Sequence, residues 1–361
     1  MASSIRTRGA RRIGTTVALA AVTTAVAFMA PAWASESPAS EAESESSSAS
    51  ASKAGPRARS IVCPPGADVA TPPKAQLGDV GDSFLLTGRR YRKIVAPGDV
   101  TETVAYGVNN SAVVVGGYVR RDGTGQGYVL ERGTFRPVDV PGAKATLPLG
   151  VNDDRQLAGT YSDRSELAPL SPPLHAFYAS RGRYRTIDPP GATTATAFGL
   201  NDKAQVAGLY IDGTGPHGFV WHRGRTTSYD VAGATGTGLT GISADGTVVG
   251  VFTDAGNAPH GFVYDGETCT TIDVPGAIGT QLNGINRSHE VVGIFDDGDG
   301  LHGFRLRDGR FTTVDAPGAV SGTALFGIND RGQAVGFRSL SPPADQGGMA
   351  DTMVGRALGV S

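Results

Sequence analysis

The chain has 361 residues, with 32 basic and 34 acidic side chains, 52 glycines and two cysteines. A formal charge of -2 gives no basic surface of the kind nucleic-acid binding requires, so that class of partner is excluded.

Residues 1–34 read as a secretory leader. They have a basic start (Arg6, Arg8, Arg11, Arg12), an Ala/Val/Thr-rich apolar stretch over 13–30, and the small-x-small sequence Ala32-Trp33-Ala34, after which cleavage is expected. Arg11-Arg12 could serve a twin-arginine route, but Ile13-Gly14 follows where a bulky apolar pair would be expected, and the general route is preferred. Loss of four arginines leaves 28 basic against 34 acidic residues, a formal charge of -6. No later segment is apolar enough to cross a bilayer, so a secreted product with no stable membrane span is expected.

Residues 35–60 form a Ser/Ala/Glu/Pro tract without bulky apolar side chains, which cannot bury enough surface to fold and reads as a flexible linker. An N-terminal extension, 61–81, contains Cys63. In a secreted chain Cys63 and Cys269 could form one disulfide. Alternatively both stay as thiols, with Cys269 filling the space that Tyr91, Phe135, Tyr184 or Phe311 fills elsewhere.

Residues 82–340 repeat one phrase. G-(I/V/L)-N-(D/x) begins at Gly107, Gly150, Gly199, Gly241, Gly284 and Gly327, at spacings of 43, 49, 42, 43 and 43 residues, a period that signals a repeat architecture. Within the copy spanning 196–234, period-two apolar runs at 196–200, 205–210, 217–221 and 226–231 are separated by Asn, Asp and Gly turns, which predicts a four-stranded antiparallel meander. A third-strand aromatic (Phe84, Tyr128, Phe177, Phe219, Phe262, Phe304) precedes the fourth-strand end (Pro97, Pro141, Pro190, Ala232, Pro275, Pro317) by 13 residues each time. Residues 82–97 supply only third and fourth strands, and 322–340 only first and second. A solenoid caps its ends separately, whereas a ring joins complementary halves. The expected fold is all-β: a six-bladed β-propeller of four-stranded blades, closed by a split N- and C-terminal blade, with a tail at 341–361. Gly218, Gly261 and Gly303 are expected to leave room for bulky residues of the adjacent blade.

The third-strand phrase is His175-Ala176-Phe177 in one copy and His-Gly-Phe from His217, His260 and His302 in three others. Together with the G-I-N-D and D-x-P-G-A phrases, it resembles the bacterial extracellular HAF-repeat family over residues 82–340. The resemblance implies a secreted repeat protein and transfers no catalytic residue. The pattern is broken at Ser83-Phe84, at Gln126-Gly127-Tyr128 and over 241–244.

The repeated histidines could suggest a metal ring, but equivalent third-strand positions diverge by rotation, so each imidazole is expected to bond a fourth-strand aspartate (Asp188, Asp230, Asp273 or Asp315) and no metal is expected. The turn asparagines Asn152, Asn201, Asn286 and Asn329 read as turn and packing devices. Asp296 to Gly300 lacks the spacing and closing bidentate acid of an EF-hand loop. The basic run Arg89 to Lys93 reads as a solvated, charged strand edge, with attraction to an anionic wall polymer as the sharper alternative.

The loop between second and third strands varies most, and gives the candidate binding residues Asp163, Arg164, Glu166, Asp212, Asp254 and Asp297. No cofactor and no catalytic motif is expected. The leading expectation is a secreted, non-enzymatic propeller that binds a glycan, a cell-wall component or a protein. The alternatives are an extracellular polysaccharide lyase or hydrolase using non-repeated channel-mouth residues, first among them Arg164 and Glu166, and a purely structural surface protein.

Overall fold

The computed structural model describes residues 57–66, 81–163 and 173–341. The expected leader, the tract before residue 57, residues 67–80 and the 342–361 tail lie outside the described residues, as do Arg164 and Glu166.

A solitary strand, β1 (Arg57–Ile61), is followed by the hairpin β2 (Gly81–Thr87) and β3 (Arg90–Ile94). Meanders of four strands come next, the first being β4 (Val100–Val108), β5 (Val114–Arg120), β6 (Gly125–Glu131) and β7 (Thr134–Val138). The second is β8 (Ala145–Val151), β9 (Leu157–Ser162), β10 (His175–Ser180) and β11 (Arg183–Thr186), and the third β12 (Thr194–Leu200), β13 (Val206–Asp212), β14 (Gly215–His222) and β15 (Arg225–Val231). The fourth is β16 (Gly236–Ile242), β17 (Val248–Thr253), β18 (Pro259–Tyr264) and β19 (Cys269–Ile272), and the fifth β20 (Gly279–Ile285), β21 (Val291–Asp296), β22 (Leu301–Arg307) and β23 (Arg310–Val314). The hairpin β24 (Thr323–Ile328) and β25 (Ala334–Ser339) ends the described chain. Among the described residues no helix is long and apolar enough to cross a membrane.

The two hairpins meet. β25 pairs antiparallel with β2, from Gly81 opposite Ser339 to Leu86 opposite Ala334, giving the order β24-β25-β2-β3. Gly81 also bridges Glu102 of β4, joining this sheet to the next. Burial falls from first strand to fourth: β8 and β20 are buried throughout, whereas β3, β7 and β23 expose most positions.

Two close approaches fix the glycines. In the second strand a Cβ on Gly208 would sit 2.3 Å from Thr196 O and 2.5 Å from the Phe219 ring, so the aromatic lies directly on glycine backbone and is fully buried. In the third strand a Cβ on Gly218 or Gly261 would come within 2.9 Å of Leu239 or Leu282 of the following meander, the room expected from the sequence.

First strands are also tied to the preceding fourth strand. The hydroxyls of Thr103, Thr146, Thr237, Thr280 and Thr323 accept from the backbone N–H of Ala96, Val140, Val231, Val274 and Ala316. The remaining copy has Pro189 at the donor position and Ala195 at the acceptor position. Proline has no N–H to give, so a hydroxyl there would have nothing to accept.

β1 extends into the 35–60 tract predicted to be a linker. It pairs parallel with β15 from Arg57 opposite Thr227 to Ile61 opposite Val231, and Ile61 is buried. The edge it covers carries Thr226, Thr227 and Ser228, and the Cys63–Cys269 disulfide holds the segment beside it. Beyond it Cys63 and Cys269 form a disulfide, Thr271 donates its hydroxyl to Pro64 O, and Gly66 packs against the His260 imidazole so closely that a Cβ would overlap it.

Candidate functional site

Every first strand contains a β-bulge next to the glycine of the repeated phrase. The register skips one residue before Gly107, Gly150, Gly199, Gly241, Gly284 and Gly327, namely Tyr106, Leu149, Phe198, Thr240, Asn283 and Phe326. A bulged residue is released from the strict alternation of a strand and its side chain is re-aimed. All six line one cavity, with about 110 Å³ of water-accessible space. The glycines allow the strands to meet around it: a Cβ on Gly199 would lie 2.9 Å from Gly241 Cα, one on Gly284 3.2 Å from Gly327 Cα, and one on Gly327 2.5 Å from Tyr106 O.

The lining has two unlike arcs. Tyr106, Leu149, Phe198 and Phe326 belong to one apolar cluster, and the Tyr106 and Phe326 rings lie 5.1 Å apart. Thr240, Gln281 and Asn283, from the adjacent strands β16 and β20, form the polar remainder. Gln281 Nε2 donates to Asn283 Oδ1 at 2.6 Å, Asn283 Nδ2 donates to Leu325 O at 2.8 Å, and the Thr240 hydroxyl donates to Leu282 O at 2.5 Å.

The cavity opens through the turns between first and second strands. Each turn asparagine accepts backbone N–H bonds within its own turn, as Asn201 Oδ1 does from Lys203 and Gln205, and donates to the next turn. Asn109 Nδ2 reaches Asn152 O, Asn152 reaches Asn201 O, Asn201 reaches Ser243 O, Asn286 reaches Asn329 O, and Asn329 returns to Asn109 O. These asparagines are therefore turn devices, as read from the sequence, and also links between repeats. The series is interrupted at Ser243. There Asp245 takes over the turn, accepting from the Ser243 hydroxyl and the Thr247 N–H, and it pairs with His289 Nε2 of the next turn at 2.9 Å. Burial would raise the Asp245 carboxyl, but these bonds outweigh it and hold the group below the ordinary range.

Just outside this series the mouth carries Asn110, Asp153, Asp202, Ala244, Arg287 and Asp330. Asp153, Asp202 and Asp330 each accept a backbone N–H from the preceding turn, at 2.8 to 3.0 Å, and Arg287 lies 3.6 Å from Asp330 and 3.7 Å from Asp202.

The candidate aspartates occupy the other end. In a meander the first-to-second and third-to-fourth turns share one end, while the second-to-third loops and the links between repeats share the opposite one. Asp212, Asp254 and Asp297 face His217, His260 and His302 Nε2 at 3.3, 3.4 and 3.3 Å, and none lines the cavity. Asp163 is exposed at the end of β9. The same imidazoles, and that of His175, bond the fourth-strand Asp230, Asp273, Asp315 and Asp188 through Nδ1 at 2.6 to 3.0 Å. Burial would lower the His260 pKa, but Asp273 and Asp254 outweigh it and raise it. For Asp212 burial is outweighed by bonds from Thr214 and the nearness of His217, and its pKa falls. Asp297 is lowered likewise, by the N–H groups of Asp299 and Gly300 and by His302. His217, His260 and His302 are each held between two carboxylates, an arrangement that fixes the second-to-third loop against the fourth strand, whereas His175 pairs with Asp188. Among the described residues no group of three or more His, Cys, Asp or Glu is arranged to hold a metal ion.

The cavity residues were not legible in the sequence because each sits at a bulge, where the period-two pattern no longer tells which face a side chain takes. The signal was there as a single variable slot, Tyr, Leu, Phe, Thr, Asn or Phe, immediately before the most constant glycine of the chain.

No protein-family model matches the chain, and no curated protein does. Solved structures do match by fold. A protein assigned as TolB from Agrobacterium tumefaciens is 12% identical with a TM-score of 0.53, covering 72% of this chain and 98% of that one. TolB from Acinetobacter baumannii is 13% identical with a TM-score of 0.49, covering 73% and 65%. The β-propeller domain of the Trilobed protease from Pyrococcus furiosus is 12% identical with a TM-score of 0.43, covering 73% and 88%. The chain is all-β and has the β-propeller fold.

Proposed function

We propose that this protein is a secreted, non-enzymatic propeller of six blades, closed by the β24-β25-β2-β3 sheet, that binds its ligand in the axial cavity. Closure is supported by the β2–β25 register and by the return of Asn329 to Asn109. Secretion is supported by the leader-like residues 1–34 and by the Cys63–Cys269 disulfide, a bond that persists in oxidising compartments. The HAF-like phrases fit the same reading.

The observation that carries binding is the lining itself. Six bulged residues line one cavity, and they differ from copy to copy beside a glycine that every copy keeps. The polar members, Tyr106, Thr240, Gln281 and Asn283, include no acid or base that titrates near neutrality, so the site is suited to holding a molecule rather than to moving protons. The ligand is an extracellular glycan, cell-wall component or protein segment.

The test is a ligand screen on the purified full chain by thermal shift and NMR, against wall polysaccharides, oligosaccharides and peptides. A ligand that raises the melting temperature and moves Tyr106 and Phe198 resonances is expected, without turnover. Depolymerisation of a polysaccharide that Glu166→Ala abolishes in a folded protein would sink the reading.

A further inference from the structure

We infer that the cavity takes a neutral, ring-shaped polyol, a single pyranose unit entering at the turn end. This rests on the axial cavity being the binding site. Its water-accessible space of about 110 Å³ lies below the roughly 300–1,000 Å³ of drug-sized clefts, so it admits no more than one small ring. Its chemistry is divided in a way few molecules match. Tyr106, Phe198 and Phe326 present ring surface, while Thr240 and Asn283 present hydrogen-bonding groups from the opposite, contiguous pair of strands.

The hydrogen-bond inventory narrows the choice. Asn283 spends one N–H on Leu325 O and one oxygen lone pair on Gln281, so its amide retains one donor and one acceptor for a ligand. Thr240 spends its proton on Leu282 O and retains acceptor capacity. A hydroxyl both donates and accepts, and neighbouring hydroxyls on a saturated ring can use both residues at once. The opposite face of such a ring is lined with C–H groups and suits the aromatic arc. A purely apolar ligand would leave the Asn283 donor and acceptor desolvated without compensation.

Charge excludes the acidic alternatives. The mouth carries three carboxylates, Asp153, Asp202 and Asp330, against the single guanidinium of Arg287, and the six bulged positions contain no cation. An anionic sugar would pass a repulsive mouth and then lose its hydration in a lining with no counter-charge.

The experiment is a titration of the full chain with methyl glucoside, methyl galactoside and N-acetylglucosamine, with glucuronic acid as the anionic control and indole as the apolar one. At least one neutral pyranose is expected to bind and to shift Tyr106 and Phe198 signals, with glucuronic acid at least tenfold weaker. Asn283→Leu is expected to weaken that binding at least tenfold; it removes a partner from the buried Gln281 amide and Leu325 O and lowers the melting temperature by several degrees, with the fold retained as it is around Leu149 in the equivalent slot. If other molecules shift the cavity signals but no neutral pyranose does, or indole outcompetes every sugar, the pyranose assignment fails and cavity binding stands. If a pyranose binds and Asn283→Leu leaves its affinity unchanged, the sugar sits elsewhere and both readings fail. Both also fail if nothing perturbs the cavity.

Discussion

Asp82 and Arg338 lie directly opposite each other across the β2–β25 pair, 256 residues apart in the chain, with Arg338 Nε 2.8 Å and Nη2 3.2 Å from the two carboxylate oxygens. Lys93 Nζ approaches the same buried carboxylate at 2.7 Å. Two cations therefore converge on one acid at the seam where the first and last hairpins join.

That acid should set part of the acid sensitivity. Burial favours a raised Asp82 pKa, but the bonds from Arg338 and Lys93 outweigh it and lower it. A folded pKa below the unfolded value of about 3.9 contributes stability that is full above that value and is lost as pH falls through the folded one. Arg338→Ala, which leaves Asp82 short of its main partner, is expected to cost about 3 kcal/mol at pH 7. In urea denaturation the gap between parent and Asp82→Asn should narrow towards pH 2.5. A gap of constant size would count against the pair.

The link between repeats can be tested at Thr237. Thr237→Val leaves the Val231 N–H buried without an acceptor and is expected to cost about 1–3 kcal/mol. Ala195→Thr is expected to bring no gain, because Pro189 has no N–H to offer it. Equal effects at the two sites in chemical denaturation would show that the hydroxyls matter for some other reason.

His260 predicts the opposite pH trend. Its folded pKa is raised above the unfolded value of about 6.5 by Asp273 and Asp254 despite burial, so its contribution is complete below that value and disappears as pH rises through the folded one. NMR titration should place the His260 midpoint above about 6.5, and Asp273→Asn should lower it. A midpoint unmoved by that substitution would mean the aspartate is not the cause.

Reduction of Cys63–Cys269 opens a loop spanning 206 residues. A loss of about 2–4 kcal/mol is expected, and the double serine variant should match the reduced protein. Hydrogen exchange should then show β1 losing protection before β14 does. Simultaneous loss throughout the sheet would mean that β1 is integral to it and not a tethered addition.

The meander strands were legible because polar turns interrupt period-two apolar runs at constant spacing, and the His–Asp partners because they too keep a fixed separation of 13 residues. β1 was not legible: Arg57-Ala58-Arg59-Ser60 looks like linker, and its strand conformation comes from an edge far away in sequence at β15. The cavity was obscured for a different reason. Alternation assigns side chains to faces only in a regular strand, and a bulge beside Gly107 or Gly284 alters the count at the residue that matters.

The bulges also free one position in each first strand from a cross-strand partner. The skipped residue stands outside the pairing register, and Tyr, Leu, Phe, Thr and Asn all occupy it on the same backbone. The interior thus changes from aromatic to polar around the ring of first strands with no change in how those strands pair.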